Sequence, residues 1–353
     1  MYGYMGLGFY TVDMQGGKVM STKNVYEELA EMEDRDDPTG MPITPEFLKL
    51  LRLQFTPEEA RLAVQIGLTG GTLSELSEKT GIEKPKLKKI LEAMADKGTM
   101  WIDPGKKDPI YRVVGMAAPG LVETGIWGNI RFPYSVELGK ALHRIIYDWG
   151  KERLCKMGFP FAPVWAALSA LPDDALSSEN LAEAIKEAGH WSVSACPCRL
   201  SAWLATPGEH CDHILETCIH TGDVSHWAVE HGMARELTYD DAIELLRKCN
   251  DDGLVHTLNI QNCICNCCND CCPQLVGQLK HGAQILIPSP FVAQVDEETC
   301  SACKVCADRC PMGAIEMVDE FAKVKGDLCI GCGVCVPTCS TQSMSLVRRP
   351  AAQ

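Results

Sequence analysis

One pattern of cysteines occurs twice in this chain. Cys300, Cys303, Cys306 and Cys310 follow the spacing Cys-x2-Cys-x2-Cys-x3-Cys, and Cys329, Cys332, Cys335 and Cys339 repeat it 29 residues later. With 353 residues, the chain is long enough for two or three domains that each bury a core without covalent staples, so its 20 cysteines need another explanation. A disulfide framework, a zinc array and iron-sulfur ligation are the alternatives that such spacing allows. Disulfide-rich secreted modules are short and follow a signal peptide. Residues 1–30 have one basic group before Ser21 and no uninterrupted apolar stretch, which points to a reducing, cytoplasmic setting.

Thiolate is the soft ligand that iron prefers, and three cysteines at two-residue intervals can wrap one corner of a cubane while the fourth ligand comes from elsewhere. In a doubled motif the fourth ligand crosses over. Cys300, Cys303, Cys306 and Cys339 are then expected to hold one 4Fe-4S cluster, and Cys329, Cys332, Cys335 and Cys310 a second. Paired zinc ribbons are the competing explanation, but they join two Cys-x2-Cys knuckles across a longer spacer. The segments CSACKVCADRCPMGAIEM and CIGCGVCVPTCSTQSMSL resemble bacterial two-cluster ferredoxins over roughly residues 291–347. One departure is Ser340, which stands where proline usually follows the last cysteine and which bears on the potential or the local turn rather than on cluster occupancy. Gly313, Ala314, Gly331 and Gly333 supply small residues where backbone amides are expected to approach cluster sulfurs.

A second group of thiols lies upstream: Cys196, Cys198, Cys211, Cys218, Cys263, Cys265, Cys267, Cys268, Cys271 and Cys272, with Cys249 on a predicted helix between them. Their number and softness point to one or two further iron-sulfur clusters, with zinc as the rival metal. Adjacent cysteines cannot easily aim at one corner of a cube, so Cys267 and Cys268, like Cys271 and Cys272, are expected to serve different centres. Arg199 either stands beside a cluster or pairs with a surface carboxylate. His210 and His213 flank Cys211 and are candidate ligands, although histidines in such positions are commonly hydrogen-bonded surface residues. The segments ACPCRL, CDHILETC and NCICNCCNDCCPQL resemble the central region of ferredoxin-fused iron-sulfur proteins of anaerobic bacteria, over about residues 190–349. That resemblance implies an architecture more than an activity.

Residues 1–40, with early glycines and an acidic run from Glu31 to Asp37, read as an N-terminal arm, and Met20 is an alternative start. Residues 41–116 resemble a winged helix. Thr56 and Pro57 open a helix carrying Ala60, Ala63, Val64 and Ile66, a second follows Thr72, and Pro85 begins a third with Leu87, Ile90, Leu91 and Met94 on one face. Met100–Val114 reads as the wing. Residues 117–288 read as a mainly helical, cysteine-rich iron-sulfur domain, including an amphipathic helix through Leu138, Leu142, Ile145, Ile146 and Trp149. Leu181 with Ile185 marks a shorter helix, and Thr238 with Asp241 a capping box. Its cysteines are placed in irregular stretches between helices, with a short strand at Ile285–Ile287. Residues 289–349 form the two-cluster domain. The fold class is therefore α+β and multidomain.

No run approaches the roughly 18 apolar residues of a membrane span. A net charge of -14 disfavours nonspecific attachment to nucleic acid or to an anionic membrane, and bound clusters would deepen it. Lys84, Lys86, Lys88 and Lys89 could touch phosphates, yet residues 41–116 carry only 12 basic against 10 acidic side chains, which favours protein docking over DNA binding. No Gly-x-Gly-x-x-Gly follows a strand and no acid/base pair stands out, so no catalytic residue is assigned. The chain is expected to relay single electrons, as an electron-transfer protein or a subunit of an anaerobic oxidoreductase complex, between a flavin- or metal-containing redox partner and a soluble carrier. A redox-sensing DNA-binding regulator and an enzyme with an open-site middle cluster are the alternatives.

Overall fold

The computed structural model describes residues 24–36, 42–115, 120–129, 135–152, 154–157, 159–259 and 263–350. The early glycines, Met20, Ser21 and Asp37 lie outside them. Much of the expected arm is a helix, Val25–Asp36, whose Tyr26, Leu29, Ala30 and Met32 are buried in the same core as Phe47, Leu50 and Leu51. Its acidic residues obscure an apolar face that runs from Tyr26 to Met32.

Local chemistry sets the next helices. Thr44 caps Pro45–Gln54 by accepting from Phe47 N, and Thr56 with Glu59 makes a reciprocal capping box at Pro57–Ile66. Thr72 and Glu75 repeat that box at Leu73–Thr80, which Gly81 ends in the left-handed conformation (φ 70). Lys84–Asp96 follows, burying Leu87, Leu91 and Met94. Strands β1 (Gly71–Thr72), β2 (Met100–Ile102) and β3 (Ile110–Val113) form an antiparallel sheet in the order β1-β3-β2. Helices Leu121–Asn129 and Ser135–Glu152 lead onward, the latter burying Leu138, Leu142, Ile145 and Ile146.

The middle region is rich in helix, as expected, but it also holds a sheet that the sequence reading does not anticipate. The sheet has seven strands, β4 (Ala162–Trp165), β5 (Trp191–Ala195), β6 (Glu216–Thr221), β7 (Arg235–Leu237), β8 (Val255–Asn259), β9 (Cys263–Cys267) and β10 (Leu286–Ile287), ordered β10-β4-β8-β9-β6-β5-β7. All neighbours are antiparallel except β10 with β4. Helices flank this sheet, among them Leu181–Ala188, Pro197–Ala205, Gly222–Glu230, Tyr239–Asp251 and Pro273–His281. The strands escape a hydropathy reading because polar side chains are buried along them: Ser192, Ser194, Thr217, His220, His256, Thr257 and Asn266. Only β5, WSVSA, keeps an apolar/polar alternation, while ETCIHT, VHTLN and CICNC do not. Cys218 and the run Cys263, Cys265 and Cys267 therefore lie on strands, not in irregular stretches.

The last region has two antiparallel pairs, β11 (Phe291–Val295) with β14 (Met344–Arg348) and β12 (Ile315–Val318) with β13 (Phe321–Val324), and a short helix Val305–Arg309. It is tied to the sheet domain. Ala167 N donates to Cys332 O at 2.8 Å, Asn269 Nδ2 to Pro311 O at 3.1 Å, and Arg348 pairs with Glu179 at 2.8 Å. Among the described residues no helix is long and apolar enough to cross a membrane.

Candidate iron-sulfur and metal centres

In the C-terminal region the thiols surround hollows. One hollow is lined by Cys300, Cys303, Cys306 and Cys339 with Val295, Met317, Ala322 and Met344. The other is lined by Cys310, Cys329, Cys332 and Cys335 with Ala293, Ile315, Ile330 and Val334. In each, three thiols come from one copy of the motif and the fourth from the other copy. The loop Cys300–Cys306 curls by left-handed residues at Ala302 (φ 54) and Lys304 (φ 67), a backbone hand that turns successive N–H groups toward one side. Ala314 N donates to Cys310 Sγ at 3.3 Å and Ala293 N to Cys329 Sγ at 3.5 Å, while Thr341 Oγ1 lies 3.6 Å from Cys339 Sγ.

These donors fit a cubane. Burial pushes the Cys332 thiol up to about 12 and raises Cys335 as well, so thiolates in this apolar hollow require a cation to compensate them. Amide N–H groups aimed at sulfur then stabilise the charge of a thiolate-ligated cluster.

Residues 293–340 match the family of 4Fe-4S dicluster domains. No curated protein and no solved structure matches the chain. The C-terminal region is thus a 4Fe-4S binding unit, and its general work is iron-sulfur electron transfer.

The small residues of this iron-sulfur unit answer to packing as well as to cluster sulfurs. A Cβ on Gly331 (φ 68) would sit 2.1 Å from Ser289 Oγ and 2.2 Å from Phe291 O. One on Gly333 (φ 71) would sit 2.8 Å from Ala170 Cβ, on a segment of the middle region. Among the four expected residues, the hydrogen bond to a ligand thiol is made by Ala314.

The upstream thiols are arranged differently: they touch one another. Cys211 Sγ lies 3.7 Å from both Cys268 Sγ and Cys271 Sγ, and Cys271 N donates to Cys268 Sγ at 3.3 Å. Cys267 and Cys272 form a separate pair at 3.1 Å, with Thr257 Oγ1 3.5 Å from Cys267. Cys218, His220 and Cys263 make a third group, with His220 Nδ1 3.1 Å from Cys263 Sγ. The sequence neighbours Cys267 and Cys268, and likewise Cys271 and Cys272, part into different groups. Cys196 and Cys198 flank Pro197 at the start of Pro197–Ala205. The hydrogen bond from the Cys198 thiol brings Cys196 down to about 7 and raises Cys198, whose charge is further opposed by Cys272. Cys265 interacts with both Cys218 and Cys267.

Arg199 does not pair with a surface carboxylate. It is fully buried, with Nη1 donating to Ile214 O and to Thr217 Oγ1 (3.2 Å) and Nη2 to Asn266 O (3.3 Å). The Cys271 thiol, the Cys271 N–H and the Arg199 guanidinium together hold Cys268 down to about 4 against the cost of burial. The buried cation therefore favours the ionised form of Cys268, while burial and the Cys268 charge push its neighbours Cys211 and Cys271 up. Cys249 packs beneath them with Ala202 and Leu254, and burial pushes its thiol up to about 12.

The flanking histidines divide. His213 Nδ1 is taken by Asp252 at 3.1 Å. His210 Nδ1 lies 3.3 Å from Asp270, and these two with Cys271 bring ligand atoms within 4.8 Å of one another. The histidine that sequence reasoning did not single out is His220, held neutral by burial that lowers it to about 3. Its signal was present in the pattern Cys218-x-His220, which aims two ligands to one side of an extended strand.

Proposed function

We propose that the chain is an electron-transfer protein or a subunit of an oxidoreductase complex, relaying single electrons through its 4Fe-4S clusters, with at least one further iron-sulfur centre among the upstream thiols. The observation that carries this reading is the continuity of apolar packing. Cys267 and Cys272 are buried in one apolar cluster with Cys332, and Cys310 and Cys329 pack against it. Cys335 is buried in the next, against which Cys300, Cys306 and Cys339 pack. Thiols of all three sites thus adjoin through dry side chains rather than across solvent.

We assign Cys300, Cys303, Cys306 and Cys339 to one C-terminal cluster and Cys310, Cys329, Cys332 and Cys335 to the other. The bound clusters supply the one-electron chemistry. The protein's own residues set the conditions: Ala293 and Ala314 direct N–H groups at thiolates, Ile315, Ile330 and Val334 exclude water, and Arg199 offsets charge on the upstream thiols.

We read residues 41–116 as a winged helix used for docking a protein partner. Lys84, Lys86, Lys88 and Lys89 are exposed, but Lys88 pairs with Glu92 at 3.6 Å, and the helix end is occupied by Asp96, which holds His231 at 2.8 Å. We place the chain in a reducing compartment, where its 20 free thiols remain available to metal. Anaerobic purification with iron and sulfide quantitation tests the reading. Two clusters alone would give about eight irons per chain, and the proposal requires more than that with matching sulfide. Zinc-loaded protein that accepts no electron would refute it.

A further inference from the structure

We infer that Cys218, His220, Cys263 and Cys265 form a closed site for one divalent metal ion of the zinc class, distinct from the iron-sulfur relay. His220 of β6 is directly opposite Cys263 of β9, and Ile219 opposite Ile264, so the next antiparallel pair sets Cys218 opposite Cys265. Residues two apart on a strand share a face, so the four side chains make a two-by-two patch on one side of the sheet.

Size separates this patch from a cubane site. Ligand atoms of Cys218, His220 and Cys263 all lie within 4.8 Å of one another. Donors bound to one ion at about 2.0–2.3 Å must stand that close, whereas the four thiolates of a cubane bind four different irons and approach from separate corners. A patch on one sheet face cannot surround a cube.

The protons are arranged for ligation. Ser194 Oγ donates its only hydrogen to Met233 O at 2.9 Å, so it must accept from His220 Nε2–H, 3.0 Å away. That fixes the tautomer and leaves the Nδ1 lone pair facing Cys263 Sγ. A hydrogen bond from the far ring nitrogen is the usual support of a metal-bound histidine. The Trp127 ring meets the His220 ring edge-on at 4.6 Å, and Trp127 Nε1 donates to Ala195 O at 2.8 Å, which closes the site to water. Cys218, His220 and Cys263 are buried, and mixed thiolate and imidazole donors suit zinc.

The location suggests what the ion does. Cys218 and Cys263 are buried in the core that also holds Phe47, Leu87, Trp127 and Leu138, while Cys265 packs against the neighbouring core that holds Cys332. The ion would clamp the N-terminal helices onto the sheet. This assignment is independent of the relay.

Zinc, iron and sulfide quantitation on the full-length, anaerobically purified chain, followed by cobalt(II) exchange and absorption spectroscopy, tests it. The expected result is about one zinc per chain, replaced by cobalt with a thiolate charge-transfer band. Cys263→Ser and His220→Ala should each lower zinc occupancy about tenfold or more while leaving iron and sulfide unchanged, the retained iron reporting that the chain still folds. His220→Cys should keep the zinc and shift the cobalt spectrum toward an all-sulfur site. The inference is overturned if the wild-type chain takes up neither zinc nor cobalt. It is equally overturned if Cys263→Ser or His220→Ala removes iron and sulfide instead, or if His220→Cys leaves the cobalt spectrum unaltered.

Discussion

The two cysteine-rich regions carry similar numbers of thiols in opposite geometries. In the C-terminal region eight thiols line two hollows, four to each, with apolar walls and backbone N–H groups directed at sulfur. Upstream, the thiols meet at 3.1–3.7 Å, beside a buried arginine and a buried histidine. A wall of ligands around a space accommodates a bulky inorganic group. Ligands in contact either close on a single ion or must open to admit a cluster, so the same residue type at similar density prepares two kinds of site.

The largest effect should come from breaking a cavity. Cys310→Ala removes the proposed crossed-over ligand of the site lined by Cys329, Cys332 and Cys335 and should cost about four irons per chain, together with the reduced signal of that cluster. Cys339→Ala should do the same to the site lined by Cys300, Cys303 and Cys306 and leave the first one intact. If either substitution emptied both, the division of the eight thiols into two sets would fail.

Next in size is a pH effect confined to the upstream region. His256 is buried between Asn250 and Asn266, its Nδ1 2.6 Å from Asn266 Oδ1 and its Nε2 2.7 Å from Asn250 Nδ2, and burial lowers it from 6.5 to about 4. The unfolded chain takes up this proton first as pH falls, so the stabilisation is complete above about 6.5 and is lost on descending toward 4. The loss should be about 3 kcal/mol by linkage. Denaturant titrations across that range should show it, and His256→Gln should remove this share of the pH dependence, leaving the share that comes from the buried His220 and leaving the C-terminal cluster signals alone.

How much of this comparison was legible beforehand depends on where the ligands sit in the chain. The grouping of the C-terminal thiols was, because three of the thiols lining each hollow lie within seven residues of chain and the other copy of the repeat supplies the fourth. Helix starts at Thr56, Thr72 and Thr238 were legible for the same local reason: each cap and its partner three residues on appear together. The seven-stranded sheet was not, since strands such as ETCIHT, VHTLN and CICNC bury hydroxyl, imidazole and amide groups that a hydropathy pattern reads as surface. Without that sheet, nothing in the sequence brings Cys211 to Cys268 or His220 to Cys263.

A smaller effect is expected at Arg199. Replacing it with methionine keeps the volume but withdraws the charge beside Cys268, and should weaken metal retention by the upstream thiols about 10–100-fold in chelator competition. The C-terminal clusters should not respond. Smallest of all, Lys86→Glu with Lys89→Glu alters an exposed helix face, and should leave metal content unchanged while slowing electron exchange with a docked redox partner. Unchanged exchange rates in stopped-flow would remove the docking role from that face.

The central claim is that the eight C-terminal thiols hold two redox-active clusters within one unit. Paramagnetic resonance during stepwise anaerobic reduction tests it most directly. The account predicts that two reducible centres appear and broaden one another when both are reduced, and that Cys310→Ala leaves a single unbroadened one. A single centre in the wild-type chain, or reduction that yields no paramagnetic signal at all, would contradict it.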